Sequence, residues 1–286
     1  MNTSSVLSPK EIAEKTSDNA VTKANLSLLS MILLGILAGA YIAIAGFASN
    51  MGAFNLLAAP GTYGVGRVIA GALFAGGLIM VVLSGGELFT GNCLMITGVL
   101  DRRITFGQML RNWFVVYCAN FIGGVLIALF GAWSGLFNSS EGALGVMTMK
   151  IAAGKVGLSF GKALVLGILC NWLVCLAVWQ ATGAKDMAGK ILGIFFPIWL
   201  FVTSGFEHSI ANMYYIPAGI FASHNDTLAQ LALAGGYLSP DAMSNLTWGN
   251  MFLHNLLPVT LGNIIGGAVF VGMFYWLSYR RKGLNP

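Results

Sequence analysis

Charge is scarce in this chain. Only 9% of its 286 residues are Asp, Glu, Lys or Arg, against about 25% in an ordinary soluble domain, which excludes a water-exposed globular fold. Cysteine is scarce as well. Cys93, Cys118, Cys170 and Cys175 lack metal-ligand spacing, imply no disulfide framework and read as small apolar core residues. No small-residue cleavage pattern follows the first apolar stretch, so no removable signal peptide is expected. Asn-Pro-Ala repeats are absent, which argues against a water or neutral-solute pore. Of three histidines, His208 alone lies deep in an apolar run, while His224 falls in a loop and His254 near the end of a span, so a twin-histidine ammonium pore is poorly supported. No metal-ligand cluster or cofactor motif appears. Ser204 and Ser209 flank His208, but a serine hydrolase needs a serine–base pair in an accessible cavity, and Ser204 belongs to a repeated motif. An enzyme is not expected.

Apolar residues make up 57% of the chain, and mean hydropathy is +0.78. Stretches near the length of about 20 residues needed to cross a bilayer recur. They predict spans near 27–48, 67–100, 107–131, 159–181, 188–221 and 251–278. Backbone in lipid must satisfy its own polar groups, and continuous apolar runs without period-2 alternation point to helices rather than a barrel. The expected organisation is an N-terminal segment 1–26, a six-span domain 27–278 and a short tail 279–286. Lys10, Lys15, Lys23, Arg102, Arg103, Arg111, Lys185, Lys190, Arg280, Arg281 and Lys282 all fall on one side of this plan. The positive-inside rule makes that side, with both termini, cytoplasmic. Arg67, Lys150, Lys155 and Lys162 are left on the other side with no orientational reason.

The chain repeats itself. Asn112, Asn120, Gly123, Gly124 and Trp133 match Asn255, Asn263, Gly266, Gly267 and Trp276, and Ser84-Gly85-Gly86-Glu87…Asn92 matches Ser204-Gly205-Phe206-Glu207…Asn212. The second half holds extra residues between its motifs, which places a longer outer loop at 222–250. Three spans per repeat, about 27–131 and 159–278, force the halves into opposite orientations, a plan that puts a transport site at the repeat interface. Glu87 and Glu207 are the only acids within predicted spans. Gly and Ser weaken a helix at these places, and a carboxylate at membrane depth demands a partner. Two broken helices meeting at a pore account for both. Each Glu either ties its own loop or faces the permeant species, and the half-helix after each break presents N–H groups that suit an anion. His208 supplies a group that titrates near neutral pH. A weak acid crossing as its neutral form avoids the desolvation penalty of a bare anion.

At these residues the chain resembles the formate/nitrite transporter family, particularly its formate channel branch, along its whole length. The resemblance is carried by Gly85-Gly86-Glu87-Leu88-Phe89-Thr90, by Asn171 with 173–179, by 204–213 and by 257–264. It implies a homopentamer of aquaporin-like protomers in a bacterial cytoplasmic membrane, each with its own pore for small monovalent anions. Thr90 and His208 are then expected to face each other between two constrictions. Phe74, Leu78 and Leu88 match an inner constriction and Phe201 an outer one, with Phe89 counted among the constriction residues. Asn171 matches a residue that bonds near His208 and Glu207, and Lys155 a cation at the outer mouth that concentrates anions. Formate with a proton is the expected cargo, in a pH-dependent manner; nitrite or hydrosulfide on the same scaffold is the alternative. Ser8-Pro9-Lys10-Glu11 has the form of a capping box and predicts a short surface helix, which the resemblance places at the cytoplasmic pore mouth and links to gating.

Overall fold

The computed structural model describes residues 6–281, and among them every regular element is helical. In chain order these are α1 (Pro9–Ala24), α2 (Leu28–Ala58), α3 (Tyr63–Ser84), α4 (Phe89–Asn92) and α5 (Ile96–Leu100). There follow α6 (Phe106–Trp133), α7 (Ala143–Val156), α8 (Phe160–Gly183), α9 (Met187–Ser204) and α10 (Ser209–Ser223). The chain closes with α11 (Asp226–Ala234), α12 (Pro240–Ser244) and α13 (Trp248–Tyr279). Six of them, α2, α3, α6, α8, α9 and α13, are long and apolar enough to cross a bilayer. The predicted second span is α3 plus α4 and α5, and the fifth is α9 plus α10, each interrupted where Ser-Gly-x-Glu stands. The first span runs ten residues past its expected end, to Ala58. The long loop at 222–250 carries α11 and α12.

Packing repeats with the sequence. Helix α2 lies against α3 and α6, and α8 lies against α9 and α13. The α2–α6 crossing is so close that a Cβ on Gly123 would collide with the Ile36 carbonyl; at the matching α8–α13 crossing, Gly266 meets the Ile168 carbonyl in the same way. Small residues let membrane helices approach to backbone contact, so these glycines are fixed by geometry. Leu29, Leu33, Phe114, Trp133 and Phe196 are more than half exposed and form an apolar outer rim.

The first and last described helical segments meet on one face. Ser8 caps α1, with Glu11 Oε2 accepting from the Ser8 backbone N–H at 2.7 Å. Ile12, Ala13, Thr16, Ser17 and Ala20 bury one side of the helix. Around it, Asp101 Oδ1 accepts from Trp276 Nε1 at 2.7 Å, Arg280 Nε lies 2.7 Å from Asp101 Oδ2, and Arg103 pairs with Asp18 at 2.5 Å. Burial opposes the Asp101 charge, yet the neighbouring Ser17, Arg280 and Trp276 together hold its carboxyl below the ordinary value. A carboxyl lowered on folding contributes stability above its unfolded pKa of about 4, and that contribution is lost as pH falls through the lower folded value. The protection factors of the α1 amides, which correct exchange for its intrinsic pH dependence, are therefore expected to stay constant from neutral pH down to about 5 and to fall below about 4. In an Asp101→Asn variant protection should be lower than in the parent at neutral pH and converge with it below about 4; equal protection in variant and parent at neutral pH would refute the anchoring role.

Candidate functional site

The two breaks are built alike. Gly85 and Gly205 close α3 and α9 at φ 80° and 83°, a left-handed conformation that favours residues without a Cβ. Four residues later, at Phe89 and Ser209, the chain re-enters a helix. Unpaired backbone between the half-helices has no water to turn to at membrane depth, so neighbouring spans supply partners. Glu87 N–H donates to the Leu34 carbonyl (3.1 Å) and Glu207 N–H to the Leu166 carbonyl (3.2 Å). Asn120 accepts from Phe89 N–H (3.0 Å) and donates to the Gly35 and Glu87 carbonyls (2.7 and 2.9 Å). Asn263 accepts from Ser209 N–H (2.9 Å) and donates to Gly167 and Glu207 (2.8 and 3.0 Å). The repeated asparagines are splints for the two breaks.

The two acids are equally well held. Glu87 Oε1 pairs with Lys23 Nζ at 2.6 Å and Glu207 Oε1 with Lys155 Nζ at 2.8 Å. Their other oxygens accept from Asn92 Nδ2 (2.8 Å) and Asn212 Nδ2 (2.6 Å), which in turn donate to Asn112 and Asn255. The second amides donate to the Lys23 and Lys155 carbonyls. Each Glu thus serves as a loop tie and, through its lysine, as the floor of a cavity.

Two cavities enter from opposite faces. The one on the face of the termini, about 320 Å³, is lined by Lys15, Lys23 and Lys190 and ends at Leu78 and Leu88. The other, about 670 Å³, is lined by Arg67, Lys150 and Lys155 and ends at Phe74, Phe201 and His208. Three of the four cations that orientation left without a reason therefore line a cavity. Phe74 needs a correction: its ring meets Phe201 edge-on at 5.7 Å and stacks on Tyr215 at 6.4 Å, so it stands with Phe201 and not with Leu78 and Leu88. Phe89 lines neither cavity; it packs against Tyr117 and Trp113 of α6 at 4.9 and 6.0 Å and supports the wall behind Thr90.

Symmetry stops at the centre. His208 occupies the place of Leu88, Thr90 that of Ile210, and Asn171 that of Gly39. His208 Nε2 and Thr90 Oγ1 are 2.9 Å apart, and Nδ1 accepts from Ala211 N–H at 3.0 Å, capping α10. A neutral imidazole has one N–H. With Nδ1 occupied as acceptor, that hydrogen is on Nε2 and points at Thr90 Oγ1. The Thr90 hydroxyl is then left to donate elsewhere. Asn171 Nδ2 and Cys175 Sγ both donate to the Thr90 carbonyl, at 3.1 and 3.2 Å, and Asn171 also donates to the Asn263 carbonyl. Asn171 therefore holds the threonine's backbone and touches neither His208 nor Glu207 by hydrogen bond. All four residues are buried.

Sequence reasoning passed over Lys23 and helix α7. Lys23 is the repeat partner of Lys155, but it counts among the orientation charges when only loop position is read. The signal was present: Leu-Gly-Ile-Leu at 34–37 recurs at 166–169, and Lys23…Leu26-Ser27 recurs as Lys155…Leu158-Ser159. Each repeat is consequently a lysine-bearing helix, α1 or α7, followed by three spans.

The profile of the family described as formate/nitrite transporter matches residues 10–277. A probable formate transporter of Methanothermobacter thermautotrophicus is 39% identical over 98% of this chain and 99% of its own. The formate channel FocA of Escherichia coli K12 is 37% identical over 97% of this chain and 96% of its own. A solved structure titled pentameric formate channel with formate bound superposes with a TM-score of 0.77 at 37% identity, covering 88% of this chain and 97% of that one. With matches of this length in both sequence and fold, the chain belongs to the formate/nitrite transporter family, whose members are membrane channels and transporters rather than enzymes.

Proposed function

We propose that this protein is a pH-dependent formate channel that passes formate together with a proton. The observation that carries the proposal is the His208–Thr90 pair, 2.9 Å apart and buried, beside cavities that open to opposite faces. Arg67, Lys150 and Lys155 draw anions into one cavity, and Lys15, Lys23 and Lys190 into the other. Phe74 with Phe201, and Leu78 with Leu88, offer no polar group to a bare anion, so an ion is strongly disfavoured there. The Thr90 hydroxyl holds a formate oxygen while His208, in its imidazolium form, gives the Nε2 proton to that oxygen. The N–H bond breaks, the O–H bond of formic acid forms, and neutral acid passes the constriction. A second proton on the ring can only sit on Nδ1, so the imidazolium gives up the Ala211 bond. Once Nε2 has given its proton away the remaining hydrogen is on Nδ1, and the bond returns only when that proton leaves and Nε2 is protonated again. Proton delivery is thereby tied to the cap of α10.

The reading extends to a homopentamer in the cytoplasmic membrane with both termini inside, supported by the pentameric relative and by the concentration of Lys and Arg on the face of the termini. Purified protein in liposomes is expected to take up labelled formate faster as the external pH is lowered. In competition, formate should displace nitrite and hydrosulfide. Preferential uptake of either rival, or no formate flux above protein-free vesicles, would overturn the assignment.

A further inference from the structure

We infer that Arg67 sets the size selectivity of the Phe74–Phe201 constriction by clamping the end of α9; this rests on the formate-channel reading. The last carbonyls of a helix have no intrahelical partner. At the end of α9, Gly205 and Phe206 N–H groups return to Phe201 and Val202, which leaves Thr203 uncovered. Arg67 reaches across from α3 to close the account. Its Nε donates to the Thr203 carbonyl at 3.2 Å, and its terminal nitrogen donates to the Val202 carbonyl. The staple is reciprocal: Thr203 Oγ1 donates to the Arg67 carbonyl (3.4 Å) and Trp199 Nε1 to the Val68 carbonyl (2.8 Å). Arg67 precedes Phe74 by two helical turns, on the same face of α3, and Val202 follows Phe201 directly. The clamp therefore fixes the spacing between the two helices that carry the facing rings.

The other repeat has no such device. Met187, Ile79 and Leu83 stand where Arg67, Trp199 and Thr203 stand, and none of these side chains can donate. A planar fork on two neighbouring carbonyls is also a task that lysine cannot perform equally. Charge matters too. The guanidinium offsets the negative end of α9 where an anion approaches it.

The test compares acetate and formate flux in liposomes for the full-length protein and two variants. Arg67→Met removes the donors and should raise the acetate-to-formate flux ratio about tenfold, the factor expected for losing roughly one charge-assisted hydrogen bond. Arg67→Lys keeps the charge and should raise the ratio by a smaller factor; it also provides the reading if the methionine variant fails to assemble. A variant that merely assembles less lowers both fluxes and leaves the ratio alone. An unchanged ratio in an assembled variant overturns the inference, whereas absent formate flux in the parent protein overturns the channel assignment instead.

Discussion

Replacing His208 with phenylalanine is expected to abolish the pH-driven component of formate uptake while the protein still assembles. The ring site tolerates an aromatic: Phe201 already lies 5.9 Å from the imidazole. What the variant loses is the titratable nitrogen facing Thr90 and the cap on Ala211 N–H. The cap is worth about 1 kcal/mol, too little to unfold a helix with thirteen buried residues. The relay is worth more. Positioned proton transfer contributes about 10²-fold or greater, so uptake under an inward proton gradient should fall by at least that factor. His208→Asn separates the two roles. Asparagine is a strong N-cap residue but carries no titratable group, so it should regain thermal stability without regaining pH-driven flux. A pH response retained in His208→Asn would sink the proton-relay mechanism.

The sequence made the repeat legible because its breaks need polar residues that a lipid-facing helix avoids. Glu87, Glu207 and the paired asparagines stand out against an apolar background, and the structure gives each a bond its partner repeats. Lys23 and Lys155 were harder to read as a pair, since their spacing differs from that of the other motifs and a lysine near a helix end has an ordinary explanation in orientation. Depth was the other difficulty. Phe74 and Leu78 are four residues apart on one face of α3, a rise of about 6 Å, and that interval separates the end of one cavity from the end of the other. Periodicity reports the face of a helix and is silent on depth, so resemblance had to place Phe74, and placed it on the wrong side. Thr90 and His208 depend on a contact between repeats, which only three-dimensional packing brings to 2.9 Å.

The two acid networks should differ in how badly their loss is tolerated. Glu207→Ala strips Lys155 of its partner and leaves Asn212 and Asn255 without an acceptor they share. The Lys155 side chain is only 15% exposed, so water cannot readily replace the carboxylate, although the Tyr215 ring 5.2 Å away offers some compensation. Breaking a buried pair from one side costs about 3–5 kcal/mol, and the unfolding midpoint in detergent should fall accordingly. Removing both charges in Lys155→Met/Glu207→Leu should cost less than Glu207→Ala alone, because no uncompensated ion remains. Glu87→Ala should be milder, for Lys23 is 29% exposed and its ammonium can turn to the water of its cavity. Equal losses for Glu87→Ala and Glu207→Ala, or strictly additive effects at Lys155 and Glu207, would mean that these acids act as independent surface charges. Coupling at Lys155–Glu207 stronger than at Lys23–Glu87 would instead make the cavity lined by Arg67 the more rigid of the two mouths.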